Sequence, residues 1–597
     1  MTMQTNIDRF SKKTWRKSAP SEVVAAYSSG VSTDGRAAWG EYLEERPGSP
    51  LADASQSPLQ FVCWGLDEGE IESSLLDLLI AAAKGKKASR LEKECGLLLE
   101  QIDQAEAIDL VALAHALPGL VATLSDDVWW GLLDQLISIA EDATAIDRFA
   151  EPLAHVLLAC ELPLVLGTTF TELSPCHKLV KSACKTLSAS VIDLLDGEGM
   201  LATENFDLCR AIFASLTRVQ LLTDDQSYRP LSKDAKIQYD WMVRQAIRLT
   251  RADGRTVFSP AADKSKERTD FVSVDAALFR TALKLGGDDD DKQIARLAIP
   301  TLVEPKPVKK KVERGLPDPS YESEWASAAV LRDSWRADAS MIAFGAPGSE
   351  TKIELQAEGR SLLRGEWDYD IRVDGRQVTA VDEWEQCCWS SDEEVDFLEL
   401  EIELDRGVCL QRHVALAKED SLALIADVVM CSEPTETIEY RASLPLARGV
   451  KFTQANESNE GHLIAGRRRA TAIPLPLAEW QADRRAGHLD VTADGGVAMH
   501  LTGAGQNLYA AWLIDFSAGR LSRRLTWRHL TVAEYLVPQP TSVAAGYRIA
   551  IGDEQWLLYR SLAKSSNRTL LGHNLSTHML LARFHETGEV EPLLEVE

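Results

Sequence analysis

The chain has 597 residues, 45% of them hydrophobic, with 91 acidic against 64 basic side chains and a formal net charge of −27. Single cores stop growing near about 250–300 residues, so this length calls for two large domains. The acidic balance argues against a nucleic-acid surface over the whole molecule, and no run reaches the ~18 consecutive apolar residues of a membrane-spanning helix.

The opening stretch MTMQTNIDRFSKKTWRKSAPSE is polar and basic, without the apolar stretch of a secretory signal. Ten cysteines stand singly or as the Cys387-Cys388 pair, with no CxxC and no Cys/His spacing of a metal site. They read as reduced, mostly buried thiols of a soluble cytoplasmic protein, and neither a metal nor another cofactor is expected.

Residues 1–20 form a tail. From Ser21 to about Gly287 the apolar spacing is helical: SLLDLLIAAA sets Leu75, Leu78, Leu79 and Ala82 on one stripe. SDDVWWGLLDQLISIAEDA follows the same rule, with Ser125 as the expected N-cap and Asp126 and Asp127 in the first turn, where the helix dipole favours them. Residues 21–300 are therefore expected to form an all-helical domain of antiparallel helix pairs, an incomplete α/α toroid. The stretch GGDDDDKQIARLAIPTLVEPKPVKKKVERGLPDPS carries a run of four aspartates, a run of three lysines and five prolines. It reads as an exposed linker without a packed element, centred on residues 301–320.

After Tyr321 the period drops to two. WDYDIRVDGRQVTAV is a hairpin with Asp374-Gly375 at a type I′ turn. In FLELEIELDRGVCLQRHVAL, Leu398, Leu400, Ile402 and Leu404 face one way and Glu399, Glu401 and Glu403 the other. With Asp405-Arg406-Gly407 as a three-residue loop, Leu404 pairs with Val408, and His413 falls across from Glu399 on the polar face, a structural cross-strand pair. LALIADVVM reads as a buried strand, and HLDVTAD, GVAMHLTG, LYAAWLIDF and YRIAIGDEQWLLYRSL as further short ones. Residues 321–597 are expected to be an antiparallel β-sandwich.

Helical toroid, linker, sandwich: this order resembles the heparinase II/III-like polysaccharide lyases. SEWASAAVLRDSW is similar to that family's first sandwich strand. LQRHVALAKEDSLALIADVV resembles its signature hairpin, in which an arginine-bearing strand precedes a strand carrying an aspartate, here Asp427. The resemblance implies cleavage of acidic, uronate-containing polysaccharide by β-elimination. The family's histidine-rich segment has no counterpart, because KIELQAEGRSLLRGEWDYDIRVDG holds no histidine. No local motif matches its asparagine, tyrosine and histidine either; Asn205, Tyr228, Tyr239, His155 and His177 stand alone, and no catalytic residue is assigned.

β-Elimination needs a base, an acid and cations for the uronate carboxylate. His115 and His155 lie in apolar helical runs and read as core residues; His177, at a helix start, is more exposed. The basic clusters are Arg467 to Arg469, Arg484 with Arg485, and Arg520, Arg523, Arg524 and Arg528 around Trp527. Arg523, Arg524 and Arg528 are the expected substrate-binding residues, with Trp527 stacking on a sugar ring; the alternative is that such arginines pair with nearby glutamates. Asp126-Asp127 or Asp224-Asp225 would serve a glycosidase, although adjacent aspartates at helix ends more often act as caps. The sequence thus points to a protein acting on acidic polysaccharide or oligosaccharide, with a non-catalytic carbohydrate-binding or protein-interaction scaffold as the alternative. No nucleic-acid or membrane partner is expected, and the oligomeric state is not encoded legibly. Limited proteolysis is expected to cut first between Glu304 and Pro319, since exposed polar linkers are preferred nicking sites; mass spectrometry of the first fragments checks this.

Overall fold

The computed structural model describes residues 7–30, 32–46, 50–55, 59–66, 74–83, 88–224, 229–259, 271–303, 315–484, 486–493 and 495–597. The chain divides into two compact units, Met1–Thr250 with Pro260–Lys310, and Arg251–Ser259 with Lys311–Glu597.

The first unit is helical from Ser21–Ser28 to Asp289–Ala298. Helix Asp126–Asp142 buries Trp129, Trp130, Leu133, Leu136, Ile137 and Ala140, as its apolar stripe requires. Ser125 occupies the N-cap position without a side-chain capping bond; its backbone N–H donates to Glu92 Oε2 at 2.8 Å instead. The apolar run Pro152–Thr169 is 72% buried, as a core helix is. Between helices Pro152–His155 and Leu162–Thr169 the residues Val156–Glu161 widen into a π-helical turn. Pro163 explains this: it has no N–H to donate and its ring crowds the carbonyl of Ala159.

The aspartate run corrects the linker reading. Asp288 is the N-cap of helix Asp289–Ala298, accepting from the N–H of Asp291 at 2.7 Å, while Asp291 accepts from the N–H of Asp288 at 3.1 Å. Asp291 is buried against Arg244 Nε at 2.6 Å, and Ile294, Ala295 and Ala298 are buried on the same helix. Carboxylates crowd this first turn because the helix dipole and the capping bonds stabilise them there. The Pro/Lys-rich residues 304–314 lie outside the described residues.

The second unit is built from antiparallel pairings. A five-stranded sheet runs through consecutive strands from Tyr321–Ser323 to Arg360–Glu366. A central eleven-stranded sheet holds Glu385–Ser391, Val395–Leu404, Val408–Ala417, Leu422–Leu444 and Val497–Asp515 side by side. A second five-stranded sheet comprises Leu525–His529, Ala544–Ile551, Glu554–Ser561, Met579–Phe584 and Val590–Val596. The hairpin at Asp374-Gly375 has φ of 49° and 71°, and Leu404 pairs with Val408 and Glu399 with His413. Leu398, Leu400, Ile402 and Leu404 enter one core with the first sheet. Phe397, Ala415, Leu424 and Tyr509, on the other face, enter a second core with Trp527, Tyr547 and Trp556.

That second core corrects the placement of His413. Its row is polar, but the second five-stranded sheet covers this end of it, and His413 is 0% exposed. Its Nε2 lies 3.5 Å from Glu399 Oε2, and burial, then the charge of Arg560, hold the imidazole well below its usual range, so it is neutral. GVAMHLTG and LYAAWLIDF also prove to be one strand, Val497–Asp515. Its pairing with Leu422–Leu444 slips between Met430 and Thr435 and between Thr435 and Ile438, bulges that let two long strands bend together.

Arg412 and Asp427 sit directly opposite in the hairpin register. Arg412 Nε donates to Asp427 Oδ1 at 2.9 Å and Nη2 to Oδ2 at 3.3 Å; Tyr440 donates its hydroxyl to Asp427 Oδ2 at 2.7 Å. The other end of the guanidinium donates to Thr351 Oγ1 and the Trp367 carbonyl, and its carbon lies 4.0, 5.2 and 5.5 Å from the ring centres of Trp367, Trp384 and Tyr369. Arg412→Met is expected to cost about 3–5 kcal/mol by stranding a buried carboxylate, and Arg412→Met with Asp427→Leu to recover much of that loss; guanidinium unfolding of the three proteins measures both effects.

Candidate functional site

The second unit carries a groove of about 810 Å³. One wall is Pro476 to Asp483, a loop that follows the strand Arg467–Pro474. It is latched in place: Gln481 Nε2 donates to the carbonyls of Ala455 and Ser458 at 2.8 and 2.7 Å, and Asn459 Nδ2 to that of Ala478 at 2.8 Å. The opposite wall is Leu501 to Tyr509, where the long strand bends. Gly505 there has φ of +108°, and a Cβ would stand 2.9 Å from Ser542 Oγ, so glycine alone permits both the bend and the approach. Asn507 Nδ2 fastens that side to the carbonyls of Ser542 and Leu562 at 3.0 and 2.6 Å.

Arg528 lines the groove and is paired with Glu479, its own side chain 59% exposed and Glu479 only 8%. Trp480, 52% exposed, presents an indole at the groove wall. His529 donates from Nε2 to the Pro476 carbonyl at 3.0 Å when neutral, and desolvation holds its pKa down, so a neutral ring is the form present. Tyr547, edge-on to that ring with centroids 4.9 Å apart, is buried, which pushes its hydroxyl pKa up. These residues offer a stacking face, an exposed guanidinium and fixed polar groups. The carboxylate of Glu479 is engaged by Arg528 and the Nε2 of His529 by the Pro476 carbonyl, and a second carboxylate, that of Asp483, also lines the groove.

Of the three arginines expected to bind substrate, Arg528 alone lines this groove. Arg523 and Arg524 are exposed, just before the opposite end of the strand Leu525–His529, and Arg523 runs alongside Gly552. Trp527, expected to stack on a sugar ring, also borders the groove but is 1% exposed and donates Nε1 to the Leu477 carbonyl at 3.0 Å, so it offers no open stacking face. Inward and outward residues alternate along a strand, so the arginine and the tryptophan beside it face opposite ways. Arg520 is likewise internal, on Asp515 at 2.8 Å and Glu554 at 2.6 Å. Arg469 pairs with Glu358 at 3.0 Å. Arg484 is exposed and follows Asp483, which lines the groove, but does not line it itself. Tyr228, Asp225, Arg485 and the Arg468 side chain lie outside the described residues. Trp480 and Glu479 were missed; the tryptophan beside ADRR was the available signal.

No known protein family matches the sequence, and no curated protein matches it. Solved structures do. A crystal structure of heparinase III aligns at 10% identity with a TM-score of 0.62, over 92% of this chain and 99% of that one. A heparinase III gene product aligns at 11% identity and 0.57, over 94% and 100%. A heparan sulfate lyase, HepC from Pedobacter heparinus, aligns at 13% identity and 0.50, over 92% and 98%. The fold is that of heparinase III.

Within the helical unit of this heparinase III fold, the single residues weighed as catalysts are mostly committed elsewhere. His155 binds the Ile146 carbonyl at 2.8 Å and Ser190 Oγ at 3.0 Å; Tyr239 is buried on Thr217 at 3.1 Å. Asp126 and Asp127 both hold Arg9, at 3.2 and 2.8 Å, rather than forming a catalytic pair. His177 is exposed and Asn205 half-buried. His115 lies 4.0 Å from Glu161, which receives Arg218 Nε and Nη2 at 2.6 and 2.8 Å and Ser215 Oγ at 2.6 Å. Burial raises the Glu161 pKa, but the Arg218 charge and hydrogen bonds, with a smaller contribution from His115, outweigh it and hold the carboxyl at about 2. A depressed carboxyl stabilises the fold above its unfolded pKa and loses that contribution as pH falls towards the folded value. The network is therefore expected to lose on the order of 3 kcal/mol between about pH 4.5 and 2. Glu161→Gln should flatten this part of the stability–pH curve, as measured by urea unfolding at stepped pH.

Proposed function

We propose that this chain binds acidic polysaccharide in the sandwich groove, on a fold shared with heparinase III. The observation that carries this reading is the convergence of Arg528 and the exposed Trp480 on one pre-formed groove. An indole face stacks on a sugar ring, and an exposed guanidinium forks onto a carboxylate or sulfate. The walls are tied by side chain–backbone hydrogen bonds, so little ordering entropy is lost on binding. Glu479 fixes the Arg528 guanidinium while leaving most of it accessible.

The second reading is a polysaccharide lyase acting by β-elimination. It is favoured by the end-to-end alignment with structures titled heparinase III and heparan sulfate lyase. A lyase leaves an unsaturated uronate that absorbs in the near ultraviolet; a binder retains the polymer without that signal. Incubation of the full chain with heparan sulfate and other uronate polymers is expected to give retention that falls with salt, because exposed charge contacts are screened over about 8–10 Å at physiological ionic strength, and no steady absorbance gain. Sustained absorbance gain would establish the lyase reading in its place. Trp480→Ala should weaken retention about tenfold, ~1.4 kcal/mol, and Arg528→Ala should weaken it with a reduced salt slope. Arg523→Ala with Arg524→Ala tests whether the polymer continues along the strand beyond the groove.

A further inference from the structure

The second five-stranded sheet roofs one end of the two longest central strands, Leu422–Leu444 and Val497–Asp515, where Leu424, Ala426, Tyr509 and Ala511 enter the second core. Beyond the bulges Tyr440, Ala442, Met499 and Leu501 point into the first core. Alternation therefore turns Glu439, Arg441, His500 and Thr502 to the face that carries Tyr509. Glu439 and Thr502 are exposed there, and Arg441 and His500 half-buried. Strand Gly487–Val491 widens this face on one side and Tyr369–Val373 on the other. The result is a four-stranded platform that begins at the groove, since Thr502 and Ala486 line the groove wall.

One row crosses all four strands: Asp370 lies across from Arg441, Arg441 from His500, and His500 from His488. The two imidazoles are stacked, with ring centres 4.8 Å apart and planes 6° from parallel. Gly487 permits the close strand approach behind the stack, because a Cβ there would stand 1.9 Å from the His500 carbonyl oxygen. His500 Nε2 has no hydrogen-bond partner, and Asp490 Oδ2 lies 3.9 Å away. Burial holds the His500 pKa below its usual value, the charges of His488 and Arg441 push the same way, and Asp490 opposes them. The ring is therefore uncharged at neutral pH. Among the described residues the fixed charges on this face are Arg372 and Arg441 against Asp370, Glu439 and Asp490. Carboxylates thus outnumber guanidinium groups until the histidines take up protons.

We propose that this platform continues the groove as a second subsite for the acidic groups of the same polysaccharide, engaged when His488 and His500 are protonated. The inference rests on the groove reading above and adds to it a longer polymer track and a pH dependence. Protonation makes Arg441, His500 and His488 an unbroken row of cations, complementary to the carboxylates or sulfates repeated along such a polymer. Two imidazolium rings stacked this closely repel each other, so without a ligand the second proton is disfavoured. A polymer anion over the pair offsets that repulsion. By linkage, a ligand that favours the protonated pair is held more tightly as pH falls through the histidine range.

The test measures the affinity of the full chain for heparan sulfate at fixed ionic strength, at about pH 5.5 and about pH 8, either side of the ordinary histidine range. Binding is expected to be about fivefold tighter at the lower pH, the size of two exposed ion pairs. His488→Asn with His500→Asn should remove that excess. Arg528→Ala should weaken binding at both pH values yet keep the excess, since Arg528 belongs to the groove and not to the platform. NMR titration of the histidine rings supplies a readout that a merely structural pair would not move: heparan sulfate should raise the pKa of both rings. An equal excess in the double variant, at the parent's Tm, would overturn the platform and leave the groove reading standing, as would histidine pKa values unmoved by the polymer. No binding at either pH would overturn both.

Discussion

The second unit turns on one buried ion pair. Arg412 and Asp427 meet across the strands Val408–Ala417 and Leu422–Leu444, and neither is exposed. Removing two charges from water costs several kcal/mol each, and only near-complete coordination offsets that. Here the guanidinium forks onto the carboxylate, reaches Thr351 and the Trp367 carbonyl at its other end, and lies among three aromatic rings; Tyr440 completes the carboxylate. Thr351 and Trp367 flank strands of the first sheet, so the pair binds that sheet to the central one. A hydrophobic pair would fill the same space without demanding these partners, whereas the charged pair tolerates one register.

The fixed register has a consequence on the opposite face. With Arg412 directed into the first core, period-two geometry sends Cys409, Gln411 and His413 the other way, beside Glu399, Glu401 and Glu403. One end of this row is roofed by the second five-stranded sheet and the other is open: His413 is buried and Glu403 exposed. The gradient from dry to wet along a single row separates a neutral imidazole from accessible carboxylates only a few residues away. The sheet thus uses one face for cohesion and grades the other.

Much of this was legible in the chain itself, because strands announce themselves by alternation. FLELEIEL and its partner could be set in register by counting through Asp405-Arg406-Gly407, and the Arg412/Asp427 hairpin was recognisable from its residues. What alternation cannot reveal is what covers the outward side of a strand. His413 was therefore assigned to a polar face without its burial being visible, and Trp527 was taken for a stacking residue when it points into the second core. The four aspartates misled for a related reason: net charge suggested solvent, while the capping geometry and the Arg244 partner come from elsewhere in the fold. The groove was visible in part, through Arg528. Trp480 and the latched loop were not, because residues 455–460 that hold the loop are joined to it only by folding.

A shared fold restricts what these residues do without specifying it. In a lyase, charge develops on the substrate during proton abstraction, so donors and an acid–base pair must be free to meet it. Two of the candidate bases described within the helical unit are spent on internal bonds, His155 on Ile146 and Ser190 and Tyr239 on Thr217, while His177 is exposed. Arg528 and Trp480 in the groove are instead held rigid with their recognising surfaces outward. Contacts of this kind would meet a polymer equally before and after any bond is broken, and such uniform contacts add affinity without adding turnover.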